Sequence, residues 1–531
     1  MATTAISSSA AYTSAAPADD RYKYKYLIAV SVTLAAMLEL IDTSIVNVAI
    51  PHMMGNLGAT LDEIAWVSTG YIIANVIVIP LSSWLSSHFG RKNYFTGSIL
   101  LFVVASFFCG AAGSLGALIF WRVIQGIGGG ALLSTAQSTL YESFPPAEAG
   151  TGMAIFGMGV MVGPTLGPTL GGWITDNFNW PWIFYINVPL GIFAAVMAWA
   201  YVPDAEHQER SDTIDYWGIL LLAIGVGSLQ WMLERGERYD WFESRFVTTL
   251  AVVAVVSLVG LVWRELTIEE PVIDFRVLKS RQLAAGTAIA AVLGFALYGS
   301  VFILPVFLQQ LHGFTAWQTG KVILPGALAS AFTMAIVGRN SQKLDARYTV
   351  VAGAVLFFFS MLMLSRLTFD TSVQQLFWPL VLRGVGLGLI FVPLTNASMA
   401  ELDVRQLHQG TGLYNLTRQL GGSLGIAILA TQLATLIKGQ KAILTEHVVS
   451  TDPSVLARVD GITRAMVARG ADLTSAKQMA LQVLDRQVAG QASVLAFSKI
   501  YLISGIALLC ALPLLLVFKS GRARGATGPM H

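Results

Sequence analysis

The sequence predicts an all-α polytopic membrane protein with 14 transmembrane helices, on the evidence of its composition and its apolar segments. Of its 531 residues, 55% are hydrophobic and only 12% are charged, and the mean hydropathy is +0.64. A helix needs about 20 mostly apolar residues to cross a bilayer core that is about 30 Å thick. Fourteen segments meet this requirement, and they begin near residues 27, 64, 94, 116, 150, 182, 216, 246, 283, 318, 348, 376, 410 and 498.

The positive charges predict the orientation of the chain, because Lys and Arg collect on the cytoplasmic flanks of membrane spans. They occur as RYKYKY before span 1, GRK at 90–92, RVLKSR at 276–281, GRNSQKLDAR at 338–347 and KSGRAR near the C-terminus. These segments fall on one side, although Arg235, Arg238 and Arg245 after span 7 are exceptions. The even number of spans then predicts that both termini are cytoplasmic, with residues 1–26 as a disordered tail and 521–531 as a second tail.

Several classes of partner and chemistry receive no support from the composition. The net charge of +2 is small and is spread along the span flanks, which gives no reason to expect nucleic acid. Cys109 and Cys510 both fall within spans and form no metal-ligand or redox pattern, so neither a disulfide nor a metal site is predicted. The seven His show no His-x-x-x-His spacing, and no nucleophile motif or phosphate-binding loop occurs. The sequence therefore predicts that the protein is not an enzyme.

Internal repetition predicts how the spans are grouped. The tripeptide GTG opens span 5 at 150–152 and span 13 at 410–412, and each copy is followed by a Gly-x-x-x-Gly pair. A displacement of eight spans means that two helices are inserted between two similar six-helix units. The predicted organisation is an N-terminal bundle at 27–203, a linker with two inserted helices at 204–282, and a C-terminal bundle at 283–520 that includes an external loop at 438–497.

Charged residues inside spans are costly, at about 3 kcal/mol on insertion scales, so each requires a partner or a function. Five are found here: Glu39, Asp42, Arg122, Arg383 and Arg418. Counting from the span ends, Asp42 and Arg122 lie at matching depths in the outer half, so they can pair. Glu39 lies one turn from Asp42, and two such carboxylates resist ionising together, which predicts that at least one holds a proton for part of a cycle. A static ion pair, and a merely satisfied polar Glu39, are the alternatives.

Glycine recurs every four residues in span 5, within GVMVGPTLGPTLGGW. The stripe consists of Gly159, Gly163, Gly167 and Gly171, and two prolines, Pro164 and Pro168, interrupt it. Such a stripe permits close approach of a neighbouring helix, and the prolines remove backbone donors and bend the helix. It predicts a seam that seals on one side and hinges on the other, with simple helix packing as the alternative.

At these residues the sequence resembles a known family. LELIDTSIVNVAIP in span 1, RVIQGIGGG in span 4, GPTLGPTLGGW in span 5, WIFYINVPLG at 182–191 and LTRQLGGSLG at 416–425 resemble the fourteen-helix drug:proton antiporter branch of the major facilitator superfamily, and EmrB-type multidrug efflux permeases in particular. The resemblance runs from about residue 25 to 520. It implies the major facilitator fold, alternating access, and proton-driven efflux of lipophilic drugs or toxic compounds across a bacterial cytoplasmic (inner) membrane, with a role in antibiotic resistance. The driving force is the proton gradient, and no cofactor is expected.

The resemblance assigns roles to particular residues. It makes Asp42 the span 1 acid and Arg122 the span 4 arginine, with the antiporter motif at Gly163, Gly167, Pro168, Gly171 and Gly172. The gating loop between spans 2 and 3 keeps Gly90, Arg91 and Lys92. It departs from the family at Ser83 and Ser87, which replace the first Gly and the Asp of the motif, and this puts the cytoplasmic latch in doubt.

The substrate is less well specified. Aromatic and amide side chains on the spans of the implied cavity are candidate contacts: Tyr71, Asn75, Gln125, Gln309, Tyr414 and Asn415. Each also suits helix packing, and together they favour lipophilic neutral or weakly charged compounds. The predicted partners are such small molecules, protons and membrane lipid. A proton-coupled symporter or uniporter of a small metabolite is the alternative function.

The external loop at 438–497 raises the question of a protein partner. Its second part places Leu481, Leu484, Val488 and Leu495 at helical spacing, which predicts an apolar helix face leading into span 14. EmrB-type pumps resemble this chain in having such a segment, and the resemblance implies a periplasmic adaptor and an outer-membrane channel as partners. The alternative is that the face only packs within the chain.

Overall fold

The computed structural model describes residues 22–203, 215–369, 371–449 and 451–518. Most of the predicted N-terminal tail and the whole of the predicted tail at 521–531 therefore lie outside the described residues. Within the described residues, fourteen helices are long and apolar enough to cross a membrane, which confirms the predicted fold class. The long helices are those of the fourteen spans together with α14, which is not a span. They are α1 Lys25–Leu57, α2 Trp66–Phe89, α3 Arg91–Gly110, α4 Leu115–Ser143, α5 Ala149–Asn177, α6 Asn187–Tyr201, α7 Tyr216–Arg235, α8 Arg245–Thr267, α9 Arg281–His312, α10 Ala316–Arg339, α11 Ala346–Leu364, α12 Val373–Met399, α13 Val404–Glu446, α14 Pro453–Ala468 and α15 Leu473–Cys510.

The two sets of six helices repeat one packing pattern. In the first, α1 packs on α4, α5 and α6, α4 packs on α2 and α3, and α3 packs on α6. In the second, α9 packs on α12, α13 and α15, α12 packs on α10 and α11, and α11 packs on α15. Each pair in one set thus has its counterpart in the other. We refer to α1–α6 as the N-terminal half and to α9–α13 with α15 as the C-terminal half.

The same local device ends the first helix of each half and starts the second. Gly58 follows α1 with φ +62° and Gly313 follows α9 with φ +67°, a left-handed conformation that glycine adopts without a steric penalty. Two residues later, Thr60 and Thr315 each form a capping box, in which the threonine hydroxyl accepts from the third backbone N–H of the next helix. These paired turns support the duplication that the glycine patterns predict.

The inserted helices α7 and α8 pack on each other and are joined by an ion pair between Asp215 and Arg264 at 2.7 Å. Helix α7 contacts α2 of one half and α13 of the other, where Gln230 Nε2 donates to Ser423 Oγ at 2.9 Å. Arg238, one of the basic residues that departs from the charge pattern, pairs with Asp62 at 2.5 Å. The boundaries of the three predicted units remain a prediction.

The segment expected to be a loop at 438–497 is largely helical. Helix α13 continues to Glu446, α14 fills the middle, and α15 begins at Leu473 rather than near 498. Asp452 and Asp472 cap the last two helices, because their carboxylates accept from the backbone N–H groups that follow. Lys441 Nζ lies 2.8 Å from Asp485 Oδ1, which joins α13 to α15.

The structure has the predicted helix leading into span 14, but two of its four predicted apolar side chains are exposed. Leu481 and Leu495 are exposed and Leu484 and Val488 are partly buried, whereas three alanines of this helix are fully buried: Ala476, Ala480 and Ala492. Small alanine side chains allow α15 to approach its neighbouring helices closely, and this arrangement turns the larger leucines outward.

Candidate functional site

Asp42 and Arg122 form an ion pair inside the N-terminal half. Arg122 Nη1 donates to Asp42 Oδ2 at 2.5 Å, and neither side chain is more than 1% exposed. Arg122 Nε also donates to the carbonyl oxygen of Val67 at 3.0 Å. The pair therefore links α1, α4 and α2, at the matching depths that their positions in the two helices predict.

The second oxygen of Asp42 is also satisfied. Oδ1 accepts from Gln125 Nε2 at 2.9 Å and from Asn187 Nδ2 at 2.8 Å. Asn187 Nδ2 donates in addition to Ser106 Oγ at 3.1 Å, which adds α3 and α6 to the network. Asn187 was not predicted as a site residue, although it lies in the quoted motif WIFYINVPLG. Protonation of Asp42 would neutralise the carboxylate that pairs with Arg122 and so would weaken this network between helices.

Glu39 has a different environment, although it lies one turn away on the same helix. It is 4% exposed, Oε1 accepts from Asn75 Nδ2 at 3.0 Å, and Oε2 has no hydrogen-bond partner. A buried carboxylate oxygen without a donor is unfavourable as part of a charged group. Oε2 is therefore an atom to which a proton can add without displacing an existing hydrogen bond.

Tyr71 lies between these two carboxyl groups. Its ring centroid is 4.0 Å from Arg122 Cζ, a distance typical of a cation–π contact. Its hydroxyl lies close to the Glu39 side chain around Gly129, where an added Cβ would meet the Tyr71 oxygen at 2.7 Å and Glu39 Cγ at 3.3 Å. Only a glycine fits between these groups, so Gly129 is part of the site.

The two arginines of the C-terminal half are buried in different surroundings. Arg418 on α13 is 2% exposed, and its Cζ lies 5.5 Å from the centroid of the Phe391 ring. Arg383 on α12 donates weakly to the carbonyl oxygen of Ser300 at 3.4 Å, and within the part of the chain that the structure describes it makes no ion pair. The C-terminal half thus lacks a counterpart of the Asp42–Arg122 pair.

The glycine stripe of α5 packs against α1 at the turns that carry the two carboxylates. Gly163 lies beside Leu40, Gly167 beside Ser44 and Gly171 beside Ile45, and a Cβ at Gly167 would overlap the Ser44 hydroxyl. Gly159 continues the contact at Thr33, while Pro164 and Pro168 are only partly buried. The adjacent Gly172 faces Trp317 of α10 instead. Helix α5 is therefore held between α1 and the C-terminal half.

The gating loop leads to an acid that was not predicted. Gly90 turns the chain with φ +89°, and Arg91 forms an ion pair with Glu142 at the end of α4. Glu142 Oε1 also lies 2.9 Å from Nε2 of His408 on α13, so Glu142 connects the two halves. Lys92 lies over the Trp199 ring at 4.8 Å.

The two serines that replace motif residues both lie within α2. Ser87 Oγ donates to the carbonyl oxygen of Trp84 at 2.8 Å within α2, and Ser83 is buried in the same helix. Glu142 supplies a carboxylate at the end of the N-terminal half that carries the gating loop. Its position at the end of a span resembles that of an ordinary solvated residue, which is why the sequence did not reveal it.

Further hydrogen bonds join the two halves near the helix ends that carry Glu142 and His408. Tyr141 Oη donates to Asn396 Oδ1 at 3.1 Å, and Asn415 Nδ2 donates to Gln137 Oε1 at 2.6 Å. Gln342 Nε2 donates to the carbonyl oxygen of Ala147 at 2.8 Å. This side of the protein, which the charge pattern predicts to be cytoplasmic, is closed.

The candidate substrate contacts divide into two groups. Gln309 is exposed near the end of α9. The other five are buried and engaged with protein groups: Tyr71, Asn75, Gln125, Tyr414 and Asn415. Their role as substrate contacts remains a prediction.

The fold and these buried charges define the class of protein. The described residues form two similarly packed halves of six candidate membrane helices each, with two further such helices inserted between them and ionisable side chains buried inside. These are the features of a multi-pass membrane transporter. A family profile described as Major Facilitator Superfamily matches residues 32–426. The chain belongs to the Major Facilitator Superfamily.

Individual relatives agree with this assignment and confirm the resemblance to EmrB-type permeases. Multidrug export protein EmrB of Escherichia coli (strain K12) is 34% identical over 484 residues, which cover 90% of this chain and 92% of that protein. Fatty acid resistance protein FarB of Neisseria gonorrhoeae is 32% identical over 502 residues, covering 94% and 97%. The crystal structure of the human organic anion transporter MFSD10 (TETRAN) has a TM-score of 0.58 at 14% identity, covers 91% and 99% of the two chains, and supports the fold alone.

Proposed function

We propose that the protein exports lipophilic drugs or other toxic compounds across a bacterial cytoplasmic membrane by alternating access, driven by the proton gradient. The observation that carries this proposal is the position of Glu39 and Asp42 on the helix that packs against the glycine stripe of α5. Because α5 also contacts α10 of the C-terminal half, a proton-dependent movement of α1 is transmitted to the contact between the halves. The names of the relatives, multidrug export and fatty acid resistance, support an exporter of small lipophilic molecules.

The proposed cycle uses the two carboxyl groups differently. Asp42 is engaged by Arg122, Gln125 and Asn187, so a change in its protonation reorganises α1, α4 and α6 together. Among the described residues, Glu39 has one oxygen without a hydrogen-bond partner, so a proton can bind there while the contacts of Asp42 stay intact. We assign Asp42 to coupling and Glu39 to setting the pH range over which coupling operates.

The closed side supplies the proposed gate. The contacts of Glu142 with Arg91 and His408 hold the halves together at one side of the protein. We assign this side, and both chain termini, to the cytoplasm. Alternating access requires these contacts to break when substrate enters from the cell. Arg91 and Gly90 therefore belong to the gate in our proposal, as the resemblance implies.

The helices α13, α14 and α15 extend beyond the membrane on the opposite side in the proposed topology. We propose that this extension contacts a periplasmic adaptor, which in turn reaches an outer-membrane channel, in a host with two membranes. The exposed apolar side chains on these extensions support a protein contact, and they include Ile443, Leu456, Leu473 and Leu481.

Transport by everted membrane vesicles tests the central proposal. Vesicles that contain the protein receive an acid interior and a lipophilic fluorescent dye, and dye accumulation is followed until an uncoupler is added. A proton antiporter accumulates the dye and releases it on uncoupling. Dye uptake that proceeds without the gradient, or that an acid interior opposes, would instead support a uniporter or a symporter of a small metabolite.

A further inference from the structure

Arg418 is a buried cation with unused hydrogen-bond donors. Its side chain is 2% exposed, and its Nε and Nη1 atoms have no hydrogen-bond partner among the residues that the structure describes. A guanidinium group remains charged throughout the physiological pH range and has five N–H donors in a planar fork. Burying such a group with donors unpaired is unfavourable, so the protein retains it for an interaction that this conformation does not show.

The protein itself does not neutralise this charge by direct contact. Among the described residues, Arg418 forms no ion pair with any carboxylate. Arg122 is different, since it is engaged by Asp42 and by the Val67 carbonyl. Arg418 is therefore a buried guanidinium with donors that remain available to a ligand.

An aromatic ring lies beside the available donors. The Phe391 ring centroid lies 5.5 Å from Arg418 Cζ. A planar cationic fork beside an aromatic ring suits a molecule with an anionic group on an apolar body. Helix α13 packs on α2 and α4 of the N-terminal half, so this position lies where alternating access opens.

We propose that Arg418 binds the anionic group, such as a carboxylate, of lipophilic substrates, with Phe391 beside their apolar part. This inference rests on the proposed export function, and it places lipophilic anions among the exported substrates. It departs from the preference for neutral or weakly charged compounds that composition alone favours.

The test measures binding of two matched probes to the purified full-length protein in lipid nanodiscs. The probes are 1-pyrenebutyrate and its neutral amide, 1-pyrenebutyramide, and empty nanodiscs correct for partitioning into lipid. The wild-type protein binds the carboxylate at least about tenfold more tightly than the amide, because charge-assisted hydrogen bonds are the stronger kind. Equal affinities for the two probes in the wild type overturn the proposal without any variant.

Variants then assign the preference to one side chain. Arg418→Gln lowers the affinity for the carboxylate by about tenfold or more and leaves the affinity for the amide unchanged. Arg418→Lys keeps the charge but loses the fork, so it retains part of the preference. Arg366→Gln removes an exposed arginine of the same half and changes neither affinity. An equal loss for both probes in Arg418→Gln shows a packing role and overturns the proposal.

The outcome is separable from that of the export function. Dye accumulation in everted vesicles together with equal binding of the two probes leaves export standing and removes the anion site. An Arg418-dependent preference for the carboxylate, in a protein that accumulates no dye against the gradient, leaves the anion site standing and removes proton-driven export.

Discussion

Nε2 of His408 lies 2.9 Å from Oε1 of Glu142, and this contact joins the C-terminal half to the N-terminal half. Because it lies at the closed side, its removal favours the conformation that is open there. We expect His408→Ala to shift this equilibrium roughly fivefold, as loss of about 1 kcal/mol implies. The measurement is the rate at which a cysteine introduced at Asn396, within the closed contact, reacts with a membrane-permeant maleimide. His447→Ala on the same helix is the control, and equal rates in both variants would contradict the assignment.

Asp42→Asn should abolish proton-driven efflux. It leaves the Arg122 charge buried without its partner, so the protein should also lose about 3–5 kcal/mol of stability, measured by thermal unfolding in detergent. The double variant Asp42→Asn/Arg122→Gln removes both charges and should regain most of this stability while remaining inactive in everted vesicles. Recovery of transport together with stability in the double variant would mean that the pair is a static structural element.

Glu39→Gln should change the pH dependence of transport. Removing one carboxyl group makes it easier for the nearby Asp42 to ionise, so the pH at which the transport rate is half-maximal should shift or the rate should fall. Rates are measured in vesicles over a series of internal pH values at a constant gradient. Glu243→Gln, at an exposed acid between the inserted helices, provides the comparison. A pH profile identical to that of the wild type would mean that Glu39 is a buried polar residue with no role in coupling.

Gly167→Leu should lower transport much more than a leucine placed at an open glycine. A side chain at Gly167 meets Ser44 and the backbone of Ile45, so α5 can no longer pack on α1. Gly97 is also within a membrane helix, but no atom lies within 4 Å of the position of its missing Cβ. Gly97→Leu is therefore the matched control for transport rate at equal expression. Equal rates for the two variants would mean that the stripe is not a close seam.

Deletion of residues 441–470 tests the role of the extended helices. It removes the end of α13 and the whole of α14 while keeping α15. We expect uptake into everted vesicles to continue and drug resistance of intact cells to disappear, because only the route through an adaptor is lost. Loss of both activities would show that the segment is needed for folding, and retention of both would remove the adaptor from the proposal.

The sequence predicted the fold well because membrane insertion requires long apolar segments, which composition reveals directly. It also indicated that Asp42 could meet Arg122, since helix rise converts sequence position into depth. Glu142, His408 and Asn187 were missed. They lie at or near helix ends, where polar residues are ordinary, and their importance depends on how separate helices are packed.

The extended segment shows a second limit of sequence interpretation. Its polar residues carry no membrane signal, so the continuation of α13 beyond the bilayer was not evident, whereas a helix leading into span 14 was predicted. The helical spacing predicted an apolar face that includes Leu481 and Leu495, but alanines of the same helix are buried instead of these two leucines. Periodicity indicates a helix there but does not identify which side faces a neighbour when small residues provide the close packing.

The length of α13 has a mechanical consequence. With 43 residues it is about 65 Å long, more than twice the thickness of the bilayer core. It carries Arg418 near its middle, His408 near one end and the attachment of α14 at the other. Because the helix is continuous, a small tilt of the C-terminal half displaces the outer end of the helix by more than its membrane-embedded part. In the proposed cycle, opening of the inner gate would therefore also move the part of α13 that lies outside the membrane.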